Sequence, residues 1–212
     1  MAFWTSRPPS LQMSELCWED IVPFFLRLEA RIHALYFRIR ILPIERKFTN
    51  FWVFRLVGGV MSAGNGRLTA AGKKGLPQVV SLGALDMVNF GARSSVPEKF
   101  GERLLVEHNP SITLMRTTPK ECEKLGEILS QRLRNNCNDS AKVEVWVPSK
   151  GVSMMAEKGG KFYDEEADKA LIKALVRGLE GSGIKLQEKD LTINDPEFAT
   201  GMAKRLLEMM TV

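Results

Sequence analysis

From about Leu56 to the C terminus, short apolar runs rich in β-branched residues alternate with stretches in which apolar residues recur every three or four positions. The runs predict strands at about 53–60, 77–82, 111–115, 142–147 and 184–187. The periodic stretches predict helices at about 66–74, 119–135, 165–180 and 195–210. Alternation of the two element types is what a mostly parallel sheet with helices on both faces requires, so the expected class is an open, Rossmann-like α/β fold. Several helix starts are explicit. Thr118-Pro119-Lys120-Glu121 combines a capping hydroxyl, a proline in the first turn and a glutamate able to reach back to the cap. Asp195-Pro196 repeats the device, and Asp164 with Glu165 and Glu166 puts negative charge at a third start. Leu125, Ile128, Leu129 and Leu133 form one apolar stripe and Leu171, Leu175 and Leu179 another, both expected in the core.

Upstream of Leu56 the chain changes character. Eleven of the seventeen aromatic residues fall in the first 57 positions, against six in the remaining 155. Arg27, Arg31, Arg38 and Arg40 interrupt the apolar residues of Val22–Ile41, so no helical face there stays apolar and no uncharged run reaches membrane-spanning length. The expected organisation is an atypical aromatic and basic extension over residues 1–55, irregular or helical, followed by an α/β domain over 56–212.

The net charge of +5 invites a nucleic-acid reading, but residues 1–57 carry eight Lys/Arg against five Asp/Glu. Subtracted from totals of 30 and 25, these leave 22 against 20 downstream, too thin a margin for a phosphate-tracking surface. Cys17, Cys122 and Cys137 are scattered and odd in number, which points to ordinary thiols in a reducing, cytoplasmic setting. His33 and His108 lack partners at metal-ligand spacing, so no metal site is expected.

In open parallel sheets ligands bind beyond the carboxyl ends of the strands, which makes the strand-to-helix loops the informative segments. In Gly58-Gly59-Val60-Met61-Ser62-Ala63-Gly64-Asn65-Gly66-Arg67, glycines after an apolar strand let backbone amides approach an anion, making Gly59, Ser62 and Gly64 binding candidates. Gly64-x-Gly66-x-x-Thr69 lacks the third glycine of a dinucleotide fingerprint, and no Walker motif occurs. Between Gly83 and Gly91, Asp86 and Asn89 are spaced to share one side of a helical turn. There they either bind a polyhydroxyl or nucleotide ligand or cap the turn. Arg116, Thr117 and Thr118 lie where a strand meets a helix start, a setting suited to phosphate or carboxylate. His108-Asn109-Pro110 lies before that strand. His108 is a candidate general base or a turn-stabilising residue, and five strand residues would separate it from Arg116 by roughly 17 Å. Asp86 is the second catalytic candidate. Ser149 and Gly151 follow another strand and can contact an anion or a closing loop. No nucleophile elbow supports hydrolase chemistry.

Val57-Gly58-Gly59-Val60-Met61-Ser62-Ala63-Gly64, Arg67–Gly72, Gly83–Gly91, His108-Asn109-Pro110, Leu114–Thr118, Gly151-Val152-Ser153 and Ile193–Pro196 form an ordered series over residues 56–210. The series resembles the second domain of the tomato mosaic virus resistance protein-like ATP-binding family. The resemblance implies a two-domain architecture, in which an N-terminal Rossmann-like domain binds ATP and the C-terminal domain packs against it. It also implies a link, through one plant member, to inhibition of tobamovirus RNA replication by binding viral replication proteins. Residues 1–55 do not resemble the ATP-binding domain, and Asn65-Gly66 stands where the family has Pro-Asp. The expected function is that of a truncated member acting as a ligand-binding and protein-interaction module. Its partners would be further copies of itself or a separate N-terminal domain, and ATP would belong to that domain. The alternative is an enzyme domain acting on a small phosphorylated or carboxylated metabolite through Asp86, His108 and Arg116.

Overall fold

The computed structural model describes residues 56–59 and 68–211, all within one compact unit spanning Lys47–Val212. Its elements are Ala70–Lys73 (α1), Gln78–Ser81 (β1), Met87–Phe90 (β2), Leu105–Asn109 (β3), Ile112–Arg116 (β4), Pro119–Asn135 (α2), Val143–Pro148 (β5), Glu165–Leu179 (α3), Lys185–Lys189 (β6) and Pro196–Thr211 (α4).

β1, β5 and β6 form a parallel sheet in that order, with Val80 beside Val145 and Val145 beside Leu186. The central strand β5 is buried at all six positions, as expected for a parallel strand covered on both faces. Val143, Val145 and Val147 share a core cluster with Leu125, Leu129 and Leu133 of α2 and Leu171, Leu175 and Leu179 of α3. Each such leucine removed from water contributes about 2 kcal/mol. The two helices close on each other at Gly126, where a Cβ would lie 2.5 Å from the Leu171 carbonyl oxygen. The intervening β5 residues point the other way, toward α4. Trp146 meets Phe198 edge-on at 6.0 Å, and Glu144 accepts from Arg205 Nε at 2.8 Å.

A second, antiparallel sheet has the order β2-β4-β3 and is inserted between β1 and α2. Val88, Phe90, Met115 and Leu105 of one face join the main core. The other face carries Met87, Leu114, Val106 and Ile112, and it is covered by Phe162 and Met155 from the loop that follows β5. That loop is thereby folded back over the strand end of β1.

The α/β class with helices on both faces is as the sequence pattern indicates. Four details differ. The strand expected at 111–115 lies not in the parallel sheet but in the antiparallel one, flanked by β2 and β3, which the pattern does not announce. The helix expected at 66–74 is, among the described residues, only Ala70–Lys73. Leu56 and Val57, placed in a strand by their apolarity, are helical, Gly58 and Gly59 follow in a turn and an irregular position, and residues 53–55 and 60 lie outside the described residues. Asp86 and Asn89 do not share a helical turn, because Asp86 ends a turn and Asn89 sits inside β2. The extension over 1–55, with its Val22–Ile41 segment, lies outside the described residues. Among those described, no helix is long and apolar enough to cross a membrane.

Candidate functional site

The turn Gly83–Asp86 carries the chain from the end of β1 into β2. It is held tightly: Ala84 adopts a left-handed φ of 52°, and its N–H donates to the Val152 carbonyl at 2.6 Å. The Asp86 carbonyl accepts from Thr117 N–H at 2.9 Å and from an Arg116 terminal nitrogen at 3.2 Å, which fixes the turn against the end of β4.

This brings together residues far apart in the chain. Asp86 is 0% exposed. Its Oδ2 accepts from Ser153 Oγ at 2.7 Å, while Ser153 Oγ accepts from the Met155 and Ala156 amides at 3.1 Å each. The Ser153 hydroxyl proton is therefore committed to Asp86. The other carboxylate oxygen, Oδ1, is buried without a partner among the described residues. Burial pushes the Asp86 carboxyl up to about 6, with the Ser153 hydrogen bond and the Arg116 charge opposing the rise.

Arg116 is 5% exposed and its charge is already answered. One terminal nitrogen donates to Thr117 Oγ1 at 3.1 Å, the other to the Asp164 carbonyl at 3.2 Å and to Asp168 Oδ1 at 2.6 Å. Its Nε is buried and unpartnered among the described residues. Burial also lifts the Asp168 carboxyl, although Arg116 sits against it. Thr117 Oγ1 donates to the Leu85 carbonyl at 3.1 Å and lies 3.1 Å from Cys122 Sγ. Burial holds the Cys122 thiol up at about 11, so it is a packed polar group and not a nucleophile at neutral pH.

Thr118 performs the capping expected of it. Its hydroxyl accepts from Glu121 N–H at 3.2 Å, and Glu121 Oε2 accepts from Thr118 N–H at 2.8 Å. Arg103 clamps the same glutamate at 2.7 Å and donates to the Arg116 carbonyl at 2.8 Å. The start of α2 is thus filled by its own carboxylate rather than left free beside Arg116, and Asp164 fills the start of α3 by accepting from Ala167 N–H at 3.0 Å. Around Arg116 stand Asp86, Asp164 and Asp168, so an arriving anion meets a net negative cluster. A triphosphate does not fit these residues.

The remaining candidates lie apart from this cluster. Asn89 is half-buried in β2, and its Oδ1 is buried without a partner among the described residues. His108 is exposed on β3 at an irregularity in the pairing with β4, not in the turn before a strand. The length of β4 places it about 13 Å from Arg116. Ser149 Oγ donates to the Lys189 carbonyl at 2.9 Å, and the Gly151 carbonyl accepts from Ile193 N–H at 3.0 Å. Ser149 therefore ties the loop after β5 to the end of β6, and Gly151 ties it to the loop beyond. Gly151 holds a φ of 151°, and a Cβ there would stand 2.8 Å from Glu157 Cγ. Gly59 is half-buried, while Ser62 and Gly64 lie outside the described residues. Among the described residues no group of three potential ligands could hold a metal ion. Ser153 and Asp168 are the partners that sequence reasoning misses: they stand 67 and 52 residues from the groups they touch.

The model of the C-terminal domain of uncharacterised protein family UPF0261 matches residues 49–210. The UPF0261 protein of Clostridium tetani is 44% identical over 162 residues, covering 76% of this chain and 39% of that protein. The UPF0261 protein mlr3387 of Mesorhizobium japonicum is 46% identical over 149 residues, covering 70% and 37%. The ToMV resistance protein Tm-1(GCR237) of Solanum lycopersicum is 40% identical over 156 residues, covering 73% of this chain and 20% of the tomato protein. The chain thus spans about two fifths of these bacterial relatives and one fifth of the tomato protein. With the family model running from before the strand-end turn to the last turn of α4, this chain belongs to the UPF0261 family and carries its C-terminal domain.

Proposed function

We propose that the α/β domain from residue 56 onward is a ligand-binding and protein-interaction module whose binding site is centred on Asp86. The observation that carries this reading is the buried carboxyl itself. A folded chain gains nothing from an acid with one unpartnered oxygen held where burial opposes its charge, and such groups concentrate where a protein binds or reacts. Its position beyond the end of a parallel strand is where this class of fold takes ligands. Thr117, Thr118 and Ser153 shape the surroundings, and Arg116 holds them together.

In this reading the module works beside an ATP-binding domain, and that domain rather than this one takes the nucleotide. Support comes from the misfit of a triphosphate to the acid-filled helix starts. Nanomolar ATP affinity of this chain would contradict it. Two tomato relatives bear on the antiviral link: the ToMV resistance protein is 40% identical and the ToMV susceptible protein tm-1(GCR26) 38% identical over nearly the same length. The domain is shared by both, so any role in resistance belongs to the whole protein, with this domain supplying a common binding or docking function.

The test is thermal melting of the chain across a panel of metabolites and nucleotides, with Asp86→Asn alongside. The reading expects at least one compound to raise the melting temperature of the wild type and not of the variant. A panel without hits, or hits indifferent to Asp86, would refute it.

A further inference from the structure

We propose that the Asp86 site takes an uncharged, hydroxyl-bearing molecule of the sugar or polyol class, and not a phosphate or carboxylate. The inference rests on the reading that this strand end binds a ligand, and it fixes the chemistry of that ligand from two polar atoms that are buried without a hydrogen-bond partner among the described residues. Asp86 Oδ1 is a hydrogen-bond acceptor and Arg116 Nε–H a donor, both buried and both unpartnered among the described residues. They belong to residues already joined by a 3.2 Å hydrogen bond from Arg116 to the Asp86 carbonyl. One acceptor and one donor call for a ligand that both donates and accepts. A hydroxyl does both. An ammonium group only donates, and an ionised carboxylate or phosphate oxygen only accepts.

Charge points the same way. The Arg116 guanidinium is matched by Asp168 at 2.6 Å, with the Asp164 carbonyl on the same nitrogen. An incoming anion would have to displace Asp168, and it would then face both Asp168 and Asp86. Each helix start already carries a carboxylate that an anion would have to face, Glu121 at α2 and Asp164 at α3. A neutral polyol meets no such barrier.

The test is isothermal titration of the full chain with D-ribose, D-glucose, myo-inositol and glycerol at low millimolar concentration, against inorganic phosphate and acetate. Asp86→Asn removes the charged acceptor, and Arg116→Lys keeps the positive charge but removes the Nε–H donor. Circular dichroism melts identify which variant is folded and therefore counts. The proposal predicts saturable binding of at least one hydroxyl compound, at least tenfold weaker in either folded variant, and none for phosphate or acetate. Binding of phosphate or acetate that survives or tightens in Asp86→Asn would overturn the ligand class while leaving a binding module in place. Failure of all four hydroxyl compounds, when the wider panel yields hits lacking hydroxyls, would also overturn the class alone. Failure of every compound in both experiments would overturn the class and the binding reading together.

Discussion

Asp86 and Asp168 lie on either side of one arginine and have opposite consequences for stability. Asp168 compensates a guanidinium that is 5% exposed, so removing it leaves a buried charge without its counter-ion. Asp168→Ala is expected to destabilise the domain by about 3 kcal/mol, read as a lower urea midpoint with unchanged slope. Asp168→Asn keeps a hydrogen-bond acceptor for Arg116 and should lose less. How these residues come together is only partly legible in the sequence. Asp86 stands out because glycines flank it and it follows an apolar run, and Arg116 because it precedes a capped helix. That Arg116 is answered by Asp168, and Asp86 by Ser153, follows from tertiary packing over 52 and 67 residues, which no local spacing encodes. The phosphate-site reading of Arg116 fails to anticipate this, since a sequence does not reveal whether an arginine is already paired.

Among the elements, α2 and α3 are legible because caps and leucine stripes both mark them, and the structure ends them within a residue of the pattern. β2 and β3 are not. β2 has four residues with burial at three of them, so it lacks alternation, and the last three residues of β3 are exposed and polar. Their partner is β4, and without it neither would read as a strand. α4 shows a different kind of hidden feature. Glu144 looks anomalous in the run Val143-Glu144-Val145-Trp146-Val147, yet Arg205, the Trp146 indole N–H and Gln187 all reach it, and Lys185 lies within 3.6 Å. Burial works against the charge of Glu144. The hydrogen bonds from Arg205 and Trp146 outweigh it and hold the carboxyl below its ordinary value. The stability this contributes is present above the unfolded value near 4.5 and is lost as pH falls through the native one. Arg205→Ala should therefore lower stability at neutral pH, with the difference shrinking under acid conditions, as followed by circular dichroism melts from pH 7 to pH 3.

For the molecule as a whole, the chain spans about two fifths of its bacterial relatives, and its described surface carries exposed apolar groups. Leu207 is 52% and Met210 40% exposed on α4, while Met154 and Tyr163, at 74% and 45%, stand in the loop folded over the strand end. Sedimentation equilibrium should show the average mass rising with concentration, and a monomer throughout would argue against an interface awaiting a partner. The most direct test of the central claim, that Asp86 is held for function at a cost to the fold, is the stability of Asp86→Asn against wild type as a function of pH. The native state keeps the Asp86 proton up to about pH 6, whereas the unfolded chain releases it near 3.8. Wild-type stability therefore falls as pH rises between those values, and the loss persists in full above them. Asp86→Asn should be less stable than wild type near pH 4 by about 1 to 2 kcal/mol, the cost of its own buried amide, and the difference should move in the variant's favour by about 3 kcal/mol by pH 8. An Asn variant less stable than wild type at pH 8, with the gap closing toward pH 4, would mean that the ionised carboxylate supports the fold, and it would contradict the account.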